Sequence, residues 1–299
     1  MTRVVAIVGA GRVGRAFGKR LRELGWRVGS VITQSEATSR AAVRAIRGGQ
    51  PHASLTRQVL AADLVLIAVP DRMLGEVATA LAGIGGEEWR GKIVLHTSGA
   101  LDSSPLEPLK QLGAATGSLH PLQTFSGRNA PSLEGVVFAV EGSPAALRAA
   151  RQIARALGGT AAQVDGRQKP AYHAAGVFVA GHALALVEAG TRMLVSLGFS
   201  RRQAGRALLP LVRQTLRNFE LLGAGAAWTG PLARGDYETI ALHLAALEEF
   251  PPEYRQAYEA LSRLGARVLA REPEKALAAL DAVFAKTPAP RLHKGGEKH

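Results

Sequence analysis

Two side chains able to move a proton, Lys169 and His173, stand four residues apart in Lys169-Pro170-Ala171-Tyr172-His173. On a helix that spacing places both on one face. A third candidate is His120, set between the apolar run Gly117–Leu119 and Pro121, where a strand is expected to end. An amine and two imidazoles suit a reaction in which hydride delivered to a carbonyl or imine leaves negative charge on oxygen or nitrogen, so that a proton must follow. Each has a plainer reading as well: a solvated lysine at a helix start, a satisfied histidine in a packed helix. His96 points from a strand, where a core or backbone-bonding role explains it equally well. His182, in an apolar stretch, reads as a buried, hydrogen-bonded histidine. None of the eight histidines is spaced with carboxylates as metal ligands are, so no metal is expected. The chain has no cysteine, which excludes disulfides, thiolate metal sites and a cysteine nucleophile.

The element that would bring a hydride carrier to these groups opens the chain. Val4-Val5-Ala6-Ile7-Val8 reads as a strand, followed by Gly9-Ala10-Gly11-Arg12-Val13-Gly14 and a helix with Val13, Phe17, Leu21 and Leu24 on one face. In this frame the glycines have a mechanism. Gly9 makes the tight turn, Gly11 lets the backbone approach a pyrophosphate, and Gly14 lets the helix pack on the strand. The helix N-terminus offers free N–H groups and partial positive charge to the phosphates. NAD sites usually place an acid at the end of the second strand, but here that strand ends Thr33-Gln34-Ser35. Thr33, Ser35 and Arg40 could instead hold a 2′-phosphate, and the expected cofactor is NADP. Glu36 is the counter-argument, since it could serve as a displaced acid.

The intervening chain alternates short apolar strands with helical patterns. The strands are Arg27–Ile32, Leu64–Val69, Ile93–Leu95, Gly117–Leu119 and Val136–Val140; the helices include Met73–Leu81 and Pro144–Leu157. This indicates an α/β fold with a mainly parallel, doubly wound sheet, whose ligands bind outside the carboxyl ends of the strands. Val69-Pro70, Thr97-Ser98-Gly99 and His120-Pro121 fall at such ends. From about Gln168 strand patterns cease and helical ones take over: Lys169–Leu197, Arg201–Leu222, Tyr237–Leu247, Glu253–Ala270 and Pro273–Lys286. Ser200 with Gln203 forms a capping-box pattern, and Asp236 is placed to cap the helix that follows it. The expected organisation is a dinucleotide-binding domain over 1–166, an all-α domain over 167–287 and a disordered tail over 288–299.

At 299 residues, 47% hydrophobic and 20% charged, the chain has the composition of a soluble globular protein. Its net charge of +13 comes from arginines spread along the sequence. Without interleaved aromatics or a recognisable motif, that charge reads as a solvated surface favouring phosphorylated cofactors and carboxylate substrates over nucleic acid. The start is strand-like, so no signal peptide is expected. The longest apolar stretch, Ala174–Val187, falls short of a membrane span and reads as a buried helix close to a dimer interface. A cytoplasmic protein without membrane contact follows.

Further segments add a resemblance. Ala68-Val69-Pro70-Asp71, His96-Thr97-Ser98-Gly99-Ala100, Leu119-His120-Pro121-Leu122-Gln123-Thr124-Phe125, Lys169-Pro170-Ala171-Tyr172-His173 and Thr229-Gly230-Pro231-Leu232-Ala233-Arg234-Gly235-Asp236 together resemble Rossmann-like proteins with a DUF2520 C-terminal domain. The layout is also similar to the NADP-dependent reductases of the pyrroline-5-carboxylate reductase, β-hydroxyacid dehydrogenase and ketopantoate reductase types. The resemblance covers nearly the whole chain except the tail. It implies that Val69-Pro70 flank the adenosine and nicotinamide ribose and that Thr97-Ser98-Gly99 lie close to the nicotinamide. It also implies that Lys169 occupies the place of the proton-transferring lysine of β-hydroxyacid dehydrogenases. Those enzymes carry Asn one turn later, where this chain has His173. Arg234 could grip a substrate carboxylate through its bidentate fork. By the same resemblance the helical domain forms a homodimer.

Overall fold

A computed structural model of the chain describes residues 3–126 and 131–286; the expected tail, 288–299, lies outside them. Eight strands form one sheet: β1 (Val4–Val8), β2 (Arg27–Ile32), β3 (Gln50–His52), β4 (Leu64–Ile67), β5 (Ile93–His96), β6 (Ala115–Pro121), β7 (Val137–Gly142) and β8 (Thr160–Gln163). Their order is β3-β2-β1-β4-β5-β6-β7-β8. The first six are parallel, in the 3-2-1-4-5-6 order of a doubly wound dinucleotide fold. β7 turns antiparallel to β6, and β8 runs parallel to β7.

The apolar runs of β1 and β4 are buried along their whole length because helices cover both faces. On one face Val5 and Ile7 pack with residues of α1 (Arg12–Glu23), α2 (Glu36–Ile46) and α5 (Pro144–Ala156). On the other, Ala6 and Val8 pack with residues of α3 (Leu74–Gly85), α4 (Glu107–Gln111) and Trp89. Gly18, in the middle of α1, permits this close approach, since a Cβ there would lie 2.5 Å from Ile7 Cδ1 and 2.8 Å from Ile46 Cδ1. Leu24, expected on the packed face of α1, is the residue just past its end and is exposed.

The chain divides into two compact units, Met1–His182 and Ala183–His299. α6 (Lys169–Gly176) and a π-helical turn (Val177–Gly181) close the first, and α7 (His182–Ser196) continues into the second. The second unit adds α8 (Arg201–Ala227), α9 (Pro231–Arg234), α10 (Tyr237–Leu247), α11 (Pro252–Leu269) and α12 (Pro273–Lys286). Ser200 and Gln203 complete the capping box of α8, whose last turns bend at Gly223 (φ 75°). Asp236 caps α10, accepting from the Thr239 amide at 3.1 Å. Ile240, Leu244, Ala266, Leu280 and Phe284 form a small core.

That core leaves much apolar surface uncovered. Only Thr191 is buried in α7, and only Ala204 and Ala227 in α8. The stretch Ala174–Val187 is therefore not a buried helix within this chain: Phe178 is 52% and Leu184 72% exposed. His182 is likewise exposed, its ring edge-on to Phe178, instead of hydrogen-bonded in a core. The helical run Gly166–Ser196 is long and apolar enough to cross a bilayer by length and composition alone. An apolar sequence calls for a cover, but does not say whether its own chain supplies it.

Candidate active site

The glycine turn between β1 and α1 contains three glycines with three different reasons. Gly9 has φ 85°, and a Cβ there would lie 2.5 Å from the Ala68 carbonyl oxygen and 2.7 Å from Val69 Cγ1. A Cβ on Gly14 would strike the Gly9 carbonyl oxygen and reach to 3.3 Å from Ala68 Cβ. Both are required by the protein itself. Gly11, the N-cap of α1, has an ordinary φ of −67°, and its absent Cβ would meet nothing within 4 Å. Neither packing nor conformation demands glycine there, whereas a ligand approaching the backbone would. The α1 N-terminus has no side-chain cap and no acid in its first turn, so it remains an anion-binding end into which a pyrophosphate fits.

The other expected cofactor residues surround this turn. Ala10 and Val13 are half-buried and Arg12 is exposed. Val69, half-buried, and Pro70, exposed, follow β4. At the end of β2, Gln34 is exposed and Ser35 caps α2 through the Thr38 amide (3.2 Å). The hydroxyls of Thr33 and Ser35 both meet that of Thr38, at 2.9 and 2.6 Å, a hydroxyl cluster without a carboxylate. Arg40 is held at 2.5 Å by Glu36 on the solvent face of α2.

The proton-bearing residues gather at the ends of β5 and β6. Lys169, only 1% exposed at the start of α6, donates to the Ser98 carbonyl oxygen (2.9 Å) and to Ser118 Oγ (2.8 Å). Burial pushes its ammonium down to about 8, a fall opposed by the charges of Glu141, Asp102 and Asp71. Glu141 lies directly across the β6–β7 ladder from Ser118; its Oε1 accepts from Ser103 Oγ (2.8 Å), and its Oε2 is buried without a partner among the described residues. Ser98 Oγ accepts from the Ala100 and Leu101 amides and so shapes the turn after β5. His96, fully buried, accepts the Ser98 amide on Nδ1 (3.1 Å) and meets the Asp102 carbonyl with Nε2 (2.7 Å), so it serves the backbone. Burial and the Lys169 charge hold it down to about 4.

His120 and His173 meet edge-on beside Gly99, with ring centroids 5.7 Å apart. Burial, then the charges of Lys169 and His173, hold His120 at about 4 as well. Lys169, His120, His173, Ser98 and Gly99 thus form one cluster, with Thr97 half-buried at the same strand end. Arg234 belongs to the second unit, exposed at the end of α9. Sequence reasoning missed Ser118, Glu141 and Tyr172. The signal for Ser118 was its place two residues before His120, on the same face of a strand. Among the described residues no group of three or more His, Asp or Glu could hold a metal ion.

Residues 2–121 match the Rossmann-like domain family, which fits the sheet order and the glycine turn. Residues 136–264 match the domain of unknown function DUF2520, so the protein joins a Rossmann-like domain to a DUF2520 domain. No curated protein matches the chain in sequence. Among solved structures, a Bacteroides fragilis protein named as a candidate NADP oxidoreductase superposes with a TM-score of 0.71 at 22% identity, covering 88% of this chain and 97% of that one. A reductive aminase of Aspergillus terreus, in complex with NADPH and ethyl-5-oxohexanoate, gives 0.63 at 16% identity over 98% and 97%. The Plasmodium falciparum pyrroline carboxylate reductase with NADP bound gives 0.57 at 13% over 93% and 98%. At these identities the likeness is one of fold.

Proposed function

We propose that this protein is an NADP(H)-dependent oxidoreductase that transfers hydride to a small carbonyl or imine compound bearing a carboxylate. The observation that carries this reading is the pairing, at the carboxyl edge of one parallel sheet, of the open Gly11 cradle with the Lys169–His120–His173 cluster. The fold-mates solved with NADPH or NADP support it. The cofactor supplies the hydride; the protein binds, orients and protonates. Gly9 to Gly14 hold the pyrophosphate. Thr33, Ser35 and Arg40 receive the 2′-phosphate, because the Glu36 partner of Arg40 is exposed and such pairs contribute only about 0–1 kcal/mol. Val69, Pro70 and Thr97 to Gly99 flank the nicotinamide. Lys169, lowered toward neutrality yet still mostly charged there, provides the proton with His173 nearby. Arg234 takes the substrate carboxylate.

In this reading the protein acts in the cytoplasm on a small molecule, and neither nucleic acid nor membrane is its partner. The exposed apolar helices form a homodimer, which sedimentation at micromolar concentration tests: a monomer there rejects it.

A second reading is supported by the near-complete enclosure of Lys169, whose two bonds are both internal. A lysine so enclosed suits a tie between α6 and the sheet, and the protein would then be an NADP(H)-binding sensor without turnover. Titration with NADPH and NADH, followed by nicotinamide fluorescence and a panel of oxo acids and imines, separates the two. The enzyme oxidises NADPH when given one of these compounds. The sensor binds NADPH tightly and oxidises none, and a protein that binds neither nucleotide refutes both readings.

A further inference from the structure

The two ring nitrogens of His120 have different surroundings. Nδ1 lies 3.1 Å from the Tyr172 hydroxyl, with the rings edge-on at 5.6 Å. Nε2 faces Gly99, where a Cβ would come within 2.8 Å of it and within 2.6 Å of His173 Cδ2. One nitrogen is tied; the other, packed close to Gly99, has no hydrogen-bond partner among the described residues, and the ring is half-buried.

The tie sets the tautomer. Burial pushes the Tyr172 phenol up to about 12, a rise opposed by the Ala139 amide, so the hydroxyl keeps its proton throughout the neutral range. Among the described residues its one side-chain partner is His120 Nδ1, and a protonated hydroxyl with that single acceptor directs its hydrogen to it. An Nδ1 that accepts leaves the ring hydrogen on Nε2.

We propose that Tyr172 is a positioning residue that fixes His120 as the neutral Nε2–H tautomer, and that this N–H, presented beside Gly99, donates the hydrogen bond that polarises the substrate C=O or C=N group. This rests on reading the cluster as the site of reduction. A neutral imidazole donates a hydrogen bond without surrendering its proton. To lose it would create an imidazolate, or a phenolate at Tyr172, and burial opposes both. His120 therefore stabilises the charge that develops on the heteroatom as hydride reaches carbon, while the proton that completes the reduction is left to Lys169.

The test is a long-range 1H–15N correlation spectrum of full-length, 15N-histidine-labelled protein near neutral pH, with His120 assigned by loss of its signals in His120→Gln. The expected pattern is a neutral ring protonated on Nε2, becoming a mixture of tautomers in Tyr172→Phe. In the same variant kcat falls at least about tenfold with KM for NADPH unchanged. A wild-type ring that is cationic or protonated on Nδ1, or a tautomer unmoved by Tyr172→Phe, overturns the proposal. Should no compound support turnover, the reading of the cluster as a reduction site falls and the polarising role with it. The spectrum alone still decides whether Tyr172 sets the tautomer.

Discussion

The sheet unit and the helical unit are both rich in apolar residues, yet they use them differently. In the first, β1 and β4 are buried throughout and helices close both faces within one chain. In the second, α8 runs for 27 residues with two of them buried, while Leu211, Leu216 and Leu221 are 60–67% exposed. A parallel sheet encloses its own apolar runs because each crossover helix must pack back onto it. Helices joined end to end carry no such obligation, and their stripes can be left for another surface. The contrast is broken most directly on α8. Leu216→Glu with Leu221→Glu touches no core of the single chain, so folding stays intact, whereas each buried leucine is worth roughly 1.5–3 kcal/mol to an interface. If the proposed dimer forms through α8, the double variant sediments as monomer at concentrations where the wild type sediments as dimer. A variant that still dimerises places the interface elsewhere.

The same contrast predicts that substitutions at the sheet edge act locally, with a large effect on chemistry. Lys169→Met keeps the length of the stem and removes the ammonium. Turnover is expected to fall by about 10²–10⁴ while NADPH binding is retained; unchanged turnover removes Lys169 from the mechanism. Stability should change with pH in a characteristic way. The folded-state value of about 8 lies below the ordinary 10.5, so the contribution of Lys169 is fully present above 10.5 and lost as pH falls through 8. Wild-type stability therefore climbs between these values, by on the order of 3 kcal/mol, and Lys169→Met does not follow. On the acid side, His96 and His120 are held at about 4 against 6.5, so their contribution is present above pH 6.5 and lost as pH falls through 4. Urea unfolding across this range reads both slopes.

How much of this the sequence disclosed depended on whether the signal was local. The β1–turn–α1 unit, β2, α10 and α12 lie where their patterns put them, because period and caps are properties of neighbouring residues. β3 (Gln-Pro-His) and β8 (Thr-Ala-Ala-Gln) were not legible, being short edge strands without an apolar run. Lys169, His120 and His173 were each marked by residue type and flanking pattern. That Lys169 spans to Ser118, that Glu141 sits across the ladder from Ser118, and that Tyr172 holds His120 all depend on pairing registers and a helix start far apart in sequence. Burial on the sheet was read correctly, but burial of Ala174–Val187 was not, since hydropathy cannot distinguish the same chain from another surface.

Within the sheet unit the glycine turn offers a finer contrast between residues that serve the fold and one that serves a ligand. Gly11→Ala introduces a methyl group into open space at an N-cap, where the change from glycine to alanine costs roughly 0.5–1 kcal/mol. Thermal stability is expected to fall only slightly while the dissociation constant for NADPH rises at least tenfold, about 1.4 kcal/mol. Gly9→Ala, forced to φ 85° against the Ala68 carbonyl, loses stability as well as binding. If Gly11→Ala binds NADPH as tightly as the wild type, the pyrophosphate does not approach there.

The smallest expected effect lies farthest from the core, at the end of β2. Arg40 is exposed and bound to Glu36, so in the free protein each neutralises the other at little energetic consequence. A 2′-phosphate arriving beside the Thr33, Ser35 and Thr38 hydroxyls would compete with Glu36 for the guanidinium, with two negative charges against one. Arg40→Ala should therefore weaken NADPH by about 1 kcal/mol, roughly fivefold, and leave NADH unchanged. Glu36→Gln should move the NADPH constant the opposite way, because it frees Arg40 and removes a repelling charge. Fluorescence titrations of both nucleotides against both variants decide the matter. Parallel changes for NADPH and NADH would mean that Arg40 supports α2 rather than reads the phosphate, and an improvement of NADH by Arg40→Ala would assign the ribose to Glu36.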